Sequence, residues 1–275
     1  MKVPKTTECI LELKNNWLTI WFDRPEKRNS LSEILIGEIS HTLDFIEDKP
    51  SIRGVIFRGK GNVFCAGADL KWMQSIASEK NKTHDKAMKM SMKFGEIFTK
   101  ISSLSKVTIS VVEGACMAGA VGIASATDFL VSTSDATYAL TETKIGLTPA
   151  QIAPYVIKKV GFNIGKKLML IGEIFNGEEA LLIGMADYVV KDKKHLDSKV
   201  LKIINKVENC SPNGIAVTKN LLNSNYNIDT THAAKLFAEC IVHEEGREGF
   251  ASFFEKRNGK RIGSAGIRAS GAPMR

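Results

Sequence analysis

Twice along this chain a run of β-branched and aromatic residues gives way to a string of tiny ones and then to a helical pattern. The first passage runs from Gly54-Val55-Ile56-Phe57 into Phe64-Cys65-Ala66-Gly67-Ala68-Asp69. The second runs from Val107-Thr108-Ile109-Ser110-Val111-Val112 into Gly114-Ala115-Cys116-Met117-Ala118-Gly119-Ala120. Tiny side chains let another group approach the main chain closely, and the first N–H groups of a helix have no partner inside it. Two such junctions aimed at one point present two N–H donors to a single developing oxyanion. Either junction taken alone is explained as well by tight strand–helix packing.

At 275 residues the chain can bury one large core, with or without an appendage. Apolar residues at 44% and charged residues at 25% are the balance of a soluble globular enzyme. The five cysteines (Cys9, Cys65, Cys116, Cys210 and Cys240) are odd in number and scattered. With no CxxC pair and no Cys/His cluster, they suggest neither a disulfide framework nor a zinc site, and a reduced, cytoplasmic setting is expected. No metal, flavin or nicotinamide motif appears. The first residues lack the apolar stretch of a signal peptide. Only Val107–Ala126 is apolar enough to suggest a membrane span, yet it carries Glu113 and changes from a strand to a helix pattern near Gly114. No membrane association is expected. The net charge of +8 is dispersed, and its best cluster (Lys86, Lys89, Lys93) has the spacing of a solvated helix face. A general positive field also suits a small ligand carrying several phosphates.

Leu11 to Lys14 and Trp17 to Phe22 alternate around Asn15-Asn16, which predicts a hairpin. Ser30 and Glu33 have capping-box spacing ahead of Leu35, Ile39, Leu43 and Ile46. Asp69 is placed to cap a helix beginning at Leu70, and Ser78–Asp85 is expected to be a mobile surface loop before a long helix to about Ser102. Helices are expected over Pro149–Lys159, Gly165–Leu170 and Glu178–Leu182, and a last strand at Tyr188-Val189-Val190. From about Lys194 the pattern is wholly helical, through Leu196–Val207, Pro212–Asn223, Thr230–His243 and Glu248–Arg257. Strands alternating with helices predict an α/β core of parallel crossovers.

These residues resemble the crotonase, or enoyl-CoA hydratase/isomerase, superfamily. Phe64-Cys65-Ala66-Gly67-Ala68-Asp69-Leu70 is similar to its F-x-A-G-A-D-[LI] element, and Glu113 to Gly122 to its second glycine-rich element. Tyr138 to Gly146 is similar to F-x-x-x-E-x-x-x-G, and Arg24-Pro25 with Asn29-Ser30-Leu31 to the R-P…N-[AS]-L opening. Phe253 to Arg257 resembles the closing helix. The resemblance implies a spiral of ββα units over residues 1–195, holding an acyl-CoA site, and a C-terminal helical region over 196–260. Residues 261–275, which have no periodicity, are expected to be a disordered tail or a cloning remnant. Trimers, or dimers of trimers, are implied as well. The substrate would be an acyl-CoA thioester whose carbonyl oxygen lies between the amides of Ala66 and Gly119. For coenzyme A the implied contacts are Glu26, Lys27 and Arg28, then Ala66, Gly67, Ala68, Asp69 and Leu70, and Phe253 with Lys256 toward a neighbouring subunit. Core packing and helix capping are the structural readings of Phe253 and Asp69.

One position departs from the pattern. Hydratases of this family commonly carry two glutamates. Here Glu142 matches the second, while Gly122 stands at the first and cannot move protons. Glu142 is therefore the implied acid/base, and Gly122 is expected to leave room for a water or a branched acyl chain. Glu113, beside the second turn, is the substitute carboxylate. The leading reading is a hydratase-type lyase, most similar to methylglutaconyl- or isohexenylglutaconyl-CoA hydratases. A Δ3,Δ2-enoyl-CoA isomerase needs only one glutamate and is the alternative. A non-catalytic CoA- or RNA-binding member is a reading of another class, against which stand Glu33, Glu38, Asp44 and Glu47 on the polar face of the first helix.

Overall fold

The structure is a computed structural model that describes residues 2–78, 83–223, 229–257, 261–262 and 265–266. Strands β1 (Cys9–Lys14) and β2 (Trp17–Phe22) form the expected hairpin, with Lys14 opposite Trp17. Asn15 and Asn16 both take positive φ, 49° and 65°. Two left-handed residues are what a two-residue turn needs to match strand twist, and asparagine tolerates that region. Helix α1 (Glu33–Glu47) is capped by Ser32, whose hydroxyl accepts the Leu35 N–H. Ser30, the expected cap, is drawn instead to the Arg24 guanidinium.

The chain continues through β3 (Gly54–Gly59), α2 (Leu70–Ala77), α3 (Thr83–Ser103), β4 (Val107–Val112), β5 (Ala115–Met117) and α4 (Gly119–Ala126). Then come β6 (Phe129–Thr133), β7 (Thr137–Ala139), a 3-10 turn at Glu142–Ile145, α5 (Ala153–Ile171), β8 (Ile174–Asn176), α6 (Gly177–Leu182) and β9 (Tyr188–Val190). One sheet has the order β1-β2-β3-β4-β6-β9 and is parallel everywhere after the hairpin. A smaller sheet, β5-β7-β8, stands beside it. The sequence does not announce this second sheet, because its three-residue strands are too short to show a period of two. The two helices expected between 149 and 170 are α5, broken at Gly161, where φ is 77°.

Every residue of β3 and β4 is buried, which is why both read as unbroken apolar runs. The larger core joins Leu18, Ile20, Phe22 and Phe57 of the sheet to Leu35, Ile39 and Leu43 of α1, Phe98 of α3 and Ile123 of α4. A second cluster sets Val107, Ile109 and Val131 against Leu196, Val200, Ile203 and Val207 of α7 (Lys193–Glu208). The terminal helical run thus begins as a layer on the sheet. Helices α8 (Pro212–Asn223), α9 (Thr230–Val242) and α10 (Glu244–Phe254) follow, and α9 buries none of its residues. Residues 79–82 of the expected surface loop lie outside the described residues. So does most of the expected tail, apart from Arg261–Ile262 paired antiparallel with Ala265–Gly266. Among the described residues no helix is long and apolar enough to cross a membrane, and 107–126 resolves into β4, β5 and α4.

The loop between β2 and α1 is held by Asn29, which is fully buried. Its Oδ1 accepts the Arg24 N–H at 2.9 Å, and its Nδ2 donates to the carbonyls of Lys60 at 2.8 Å and Val63 at 2.7 Å. One side chain therefore joins the loop to the segment leading into the first small-residue turn. Removing it strands three buried polar groups, each expensive to leave unmade. Asn29→Ala is expected to lower unfolding stability by about 3 kcal/mol, read from the shift of the urea midpoint at unchanged slope.

Candidate active site

The two small-residue turns lie side by side. The Phe64 N–H donates to the Glu113 carbonyl at 2.8 Å, the Cys65 N–H to that of Ala115 at 2.9 Å, and the Met117 N–H to that of Cys65 at 3.0 Å. Cys65 and Cys116 face each other in a parallel bridge. A further bridge joins Leu31 to Ala68: the Leu31 N–H donates to the Gly67 carbonyl at 2.8 Å, and the Asp69 N–H to the Leu31 carbonyl at 3.0 Å. That parity leaves the Ala68 N–H with no acceptor among the described residues. The Gly119 N–H, at the first position of α4, has none either, whereas the Ala118 N–H before it donates to the Ala139 carbonyl at 2.8 Å.

This pattern corrects one expectation. Ala66 does not offer a donor, because its N–H is already given to the Arg28 carbonyl at 3.0 Å. The amide of the first turn that remains open is that of Ala68, two residues on. Sequence reasoning missed it because hydrogen-bond parity is set by the pairing with Leu31, which comes from a distant loop.

Close approach is built into the junction. A Cβ on Gly67, whose φ is 95°, would lie 2.9 Å from the Met117 carbonyl oxygen and 3.2 Å from the Ala118 Cβ. Glycine is required there. Ala118 itself sits at φ 51°, ψ −118°, a conformation costly for an L-residue with a side chain. The strained residue is the one that ends β5 and aims the next amide, Gly119.

Glu142 opens the 3-10 turn three residues beyond Ala139, the acceptor for Ala118. Its Oε2 is buried without a hydrogen-bond partner among the described residues. Burial raises its pKa above the ordinary 4.5, opposed by its own backbone N–H. A carboxyl held in this way exchanges protons at higher pH than an exposed glutamate. Glu113, the substitute considered from sequence, is buried but engaged, 3.9 Å from the Arg58 guanidinium and 3.2 Å from the Lys193 ammonium. It is a structural ion-pair partner.

At Gly122 the structure also departs from expectation. The position opens no space for water or a branched chain. A Cβ there would overlap the Phe98 ring, 2.9 Å from Cε1 and nearer still to Cζ. Phe98 is fully enclosed, and Gly122, like every residue of α4, is buried. Phe98 is one of the residues that sequence reasoning passed over, since a phenylalanine at helical spacing reads as ordinary core.

Of the expected coenzyme A contacts, Glu26, Lys27 and Arg28 lie exposed in a 3-10 turn, and the Arg28 carbonyl touches the first small-residue turn through Ala66. Leu70 is 73% exposed beside them. Asp69 is a different case. Its carboxylate accepts the Lys71 N–H at 2.9 Å and caps α2, and it lies 2.8 Å from the Arg24 guanidinium, in a pair that is nearly enclosed. Burial raises its pKa, but the Arg24 hydrogen bond and the backbone N–H groups outweigh it and hold the carboxyl below its ordinary value. Asp69 is therefore a capping and clamping residue with no free oxygen for a ligand. Arg24, buried and also 3.1 Å from Glu8, is the clamp's other half. Phe253 is 75% exposed, which rules out core packing in this chain. It meets Phe254 edge-on, and Phe254 stacks on Phe250, so α10 carries an exposed aromatic ridge ending at the exposed Lys256. No group of three or more His, Cys, Asp or Glu side chains that could hold a metal ion occurs among the described residues.

Residues 12–261 match the family model described as enoyl-CoA hydratase/isomerase. A solved enoyl-CoA hydratase/isomerase from Marinobacter aquaeolei is 33% identical and superposes with a TM-score of 0.87, over 92% of this chain and 98% of the other. The crotonyl-CoA hydratase of Syntrophomonas wolfei is 26% identical over 90% of this chain and 95% of its own length. Human mitochondrial methylglutaconyl-CoA hydratase is also 26% identical, over 90% of this chain and 74% of its own length. Equal identity to hydratases of different substrates singles out no subgroup.

Because the left-handed region is strained only for residues with a Cβ, Ala118→Gly is expected to raise unfolding stability by about 1 kcal/mol, at the low end of the range for such strain. Chemical denaturation reads it directly. A lower or unchanged midpoint would contradict the assignment of strain to this residue.

Proposed function

This chain belongs to the enoyl-CoA hydratase/isomerase family, and from that premise we propose that it is a hydratase-type lyase in which Glu142 is the single acid/base. The fold is the α/β fold of the crotonase family, with repeating βα units and a helical C-terminal region. The observation that carries the proposal is the buried Glu142 Oε2, without a partner among the described residues, three residues beyond Ala139, whose carbonyl accepts the N–H next to that of Gly119.

In this reading the thioester oxygen of an enoyl-CoA accepts from the Ala68 and Gly119 N–H groups. Water adds its oxygen to Cβ while Glu142 takes a proton from it. The π electrons move onto the thioester oxygen, and the resulting enolate is stabilised more than the ground state because the two dipoles are fixed beforehand. Cα then takes that proton back from Glu142, which completes addition of one water and restores the carboxylate. Lys27 and Arg28 are placed to meet the coenzyme's phosphates, an inference that rests on their exposure next to the first turn. The exposed aromatic ridge of α10 and the unburied α9 support assembly as a trimer or a dimer of trimers, in which Phe253 and Lys256 approach a neighbour's coenzyme. The RNA-binding alternative loses one of its three lysines, as Lys93 is paired with Glu33.

A second reading, Δ3,Δ2-enoyl-CoA isomerisation, is favoured by the Phe98 ring in the space where a second carboxylate would stand. There Glu142 takes a proton from Cα of a β,γ-enoyl thioester and returns it to Cγ, with no water consumed. Offering straight, branched and dicarboxylic α,β- and β,γ-enoyl-CoAs separates the two. Loss of conjugated-thioester absorbance reports hydration, and its gain from a β,γ isomer reports isomerisation. Silence with every thioester would falsify both.

Glu142→Gln is expected to lower turnover by about 10²–10⁴-fold. It should not destabilise the fold at neutral pH, since it removes a carboxylate whose charge burial opposes. In the parent protein, turnover should fall on the acid side as Glu142 protonates, with a midpoint above the ordinary 4.5. Ala68→Pro, which deletes one N–H, should lower turnover by about 10²–10³-fold with the melting temperature monitored in parallel.

A further inference from the structure

Helices α3 and α4 meet through glycine on one side and aromatic rings on the other. Gly119 and Gly122 are three residues apart and share a face of α4, while Phe94 and Phe98 are four apart and share a face of α3. A Cβ on Gly119 would lie 3.2 Å from Phe94 Cε1, and one on Gly122 would overlap the Phe98 ring. Trp72 stacks on Phe94 at 6.0 Å between ring centroids, Phe94 lies 6.2 Å from Phe98, and Tyr155 meets Phe98 edge-on at 5.8 Å. Two rings, Phe94 and Phe98, thus cover the face of α4 that begins at the open Gly119 amide, and Trp72 and Tyr155 pack against them. The backbone at Gly122 does not call for glycine, since its φ is not positive. The ring requires it.

We infer that Phe98 is a specificity-determining positioning residue: by filling the space against Gly122 it keeps water and any second acid off this side of the site. The inference rests on the proposed chemistry, in which hydration and isomerisation share one enolate and differ in whether water reaches Cβ. Addition forms a C–O bond at Cβ and leaves one water in the product. Proton transfer moves one hydrogen from Cα to Cγ and consumes nothing. With Phe98 packed on Gly122, no polar side chain stands at that position to hold a water, so in this reading water reaches Cβ from the Glu142 side. Shortening the ring opens a second approach along α4. The partition should therefore move toward the hydrated product.

The test measures the yields of 3-hydroxyacyl-CoA and of rearranged enoyl-CoA from one β,γ-enoyl-CoA and its α,β isomer, separated chromatographically. Phe98→Leu should raise the ratio of hydrated to rearranged product by about tenfold, the scale on which one apolar side chain discriminates in a pocket. Adding Gly122→Ala to that variant places a methyl in the vacated space and should return the ratio toward the parent value. A merely structural effect of the first substitution would lower both products together and leave their ratio unchanged, since the two share one enolate. Phe98→Met, which is flexible and likewise smaller than the ring, serves if the leucine variant does not fold, with the same expectation. An unchanged ratio in a folded Phe98 variant, or no reversal by Gly122→Ala, would overturn the inference. Failure of the underlying reading is separate: Glu142→Gln would then leave both products forming at the parent rate.

Discussion

Three main-chain hydrogen bonds tie Phe64 and Cys65 to Glu113, Ala115 and Met117, and the site's geometry is a consequence of them. They set two glycine- and alanine-rich segments in parallel register at their closest point, with Gly67 against the Met117 carbonyl. Larger side chains would force the segments apart. Once the register is set, hydrogen-bond parity decides which amides are used up and which are left. Ala66 and Ala118 are spent on Arg28 and Ala139, and Ala68 and Gly119 remain. The open donors are thus a by-product of pairing, and the cost of leaving two N–H groups unmade is tolerable where a ligand oxygen replaces water.

Charge is handled unevenly around this centre, and the difference separates chemistry from architecture. Asp69 and Glu113 are buried carboxylates with cations beside them, Arg24 for the one and Arg58 with Lys193 for the other. Their ionised forms are matched, so they act as fixed anchors. Glu142 is the contrast, since it has a buried oxygen with no hydrogen-bond partner among the described residues. Its ionised form is penalised by burial, which raises its pKa above the ordinary carboxyl value. The aromatic layer of Phe94 and Phe98 extends the same dryness along α4 and strengthens whatever electrostatic interaction the open amides make.

Much of the frame was legible from the residues. The Asn15-Asn16 hairpin, the unbroken apolar runs of β3 and β4, the Asp69 cap and the helices of the C-terminal third follow from turn chemistry and periodicity. The misses have physical causes. Ser30 resembled a helix cap because capping is a local pattern, but a buried arginine claimed it and Ser32 took the role. The β5-β7-β8 sheet was invisible because three residues carry no periodicity. Core packing, the structural reading of Phe253 beside its implied coenzyme A contact, does not hold, since in this chain it faces outward.

Read along the chain, the residues are enough for the strands of the main sheet and the helices between them, the two tiny-residue turns and the single glutamate at a matching position, because these depend on local chemistry and spacing. Tertiary structure alone decided which amide of the first turn stays open, that Glu113 is neutralised, and that Gly122 faces a ring and encloses no vacant space. Each of those answers is set by a partner far along the chain, Leu31 for Ala68, Arg58 and Lys193 for Glu113, and Phe98 for Gly122. Hydrogen-bond parity, ion pairing and steric exclusion act through space, and a pattern read along one strand or helix does not contain them.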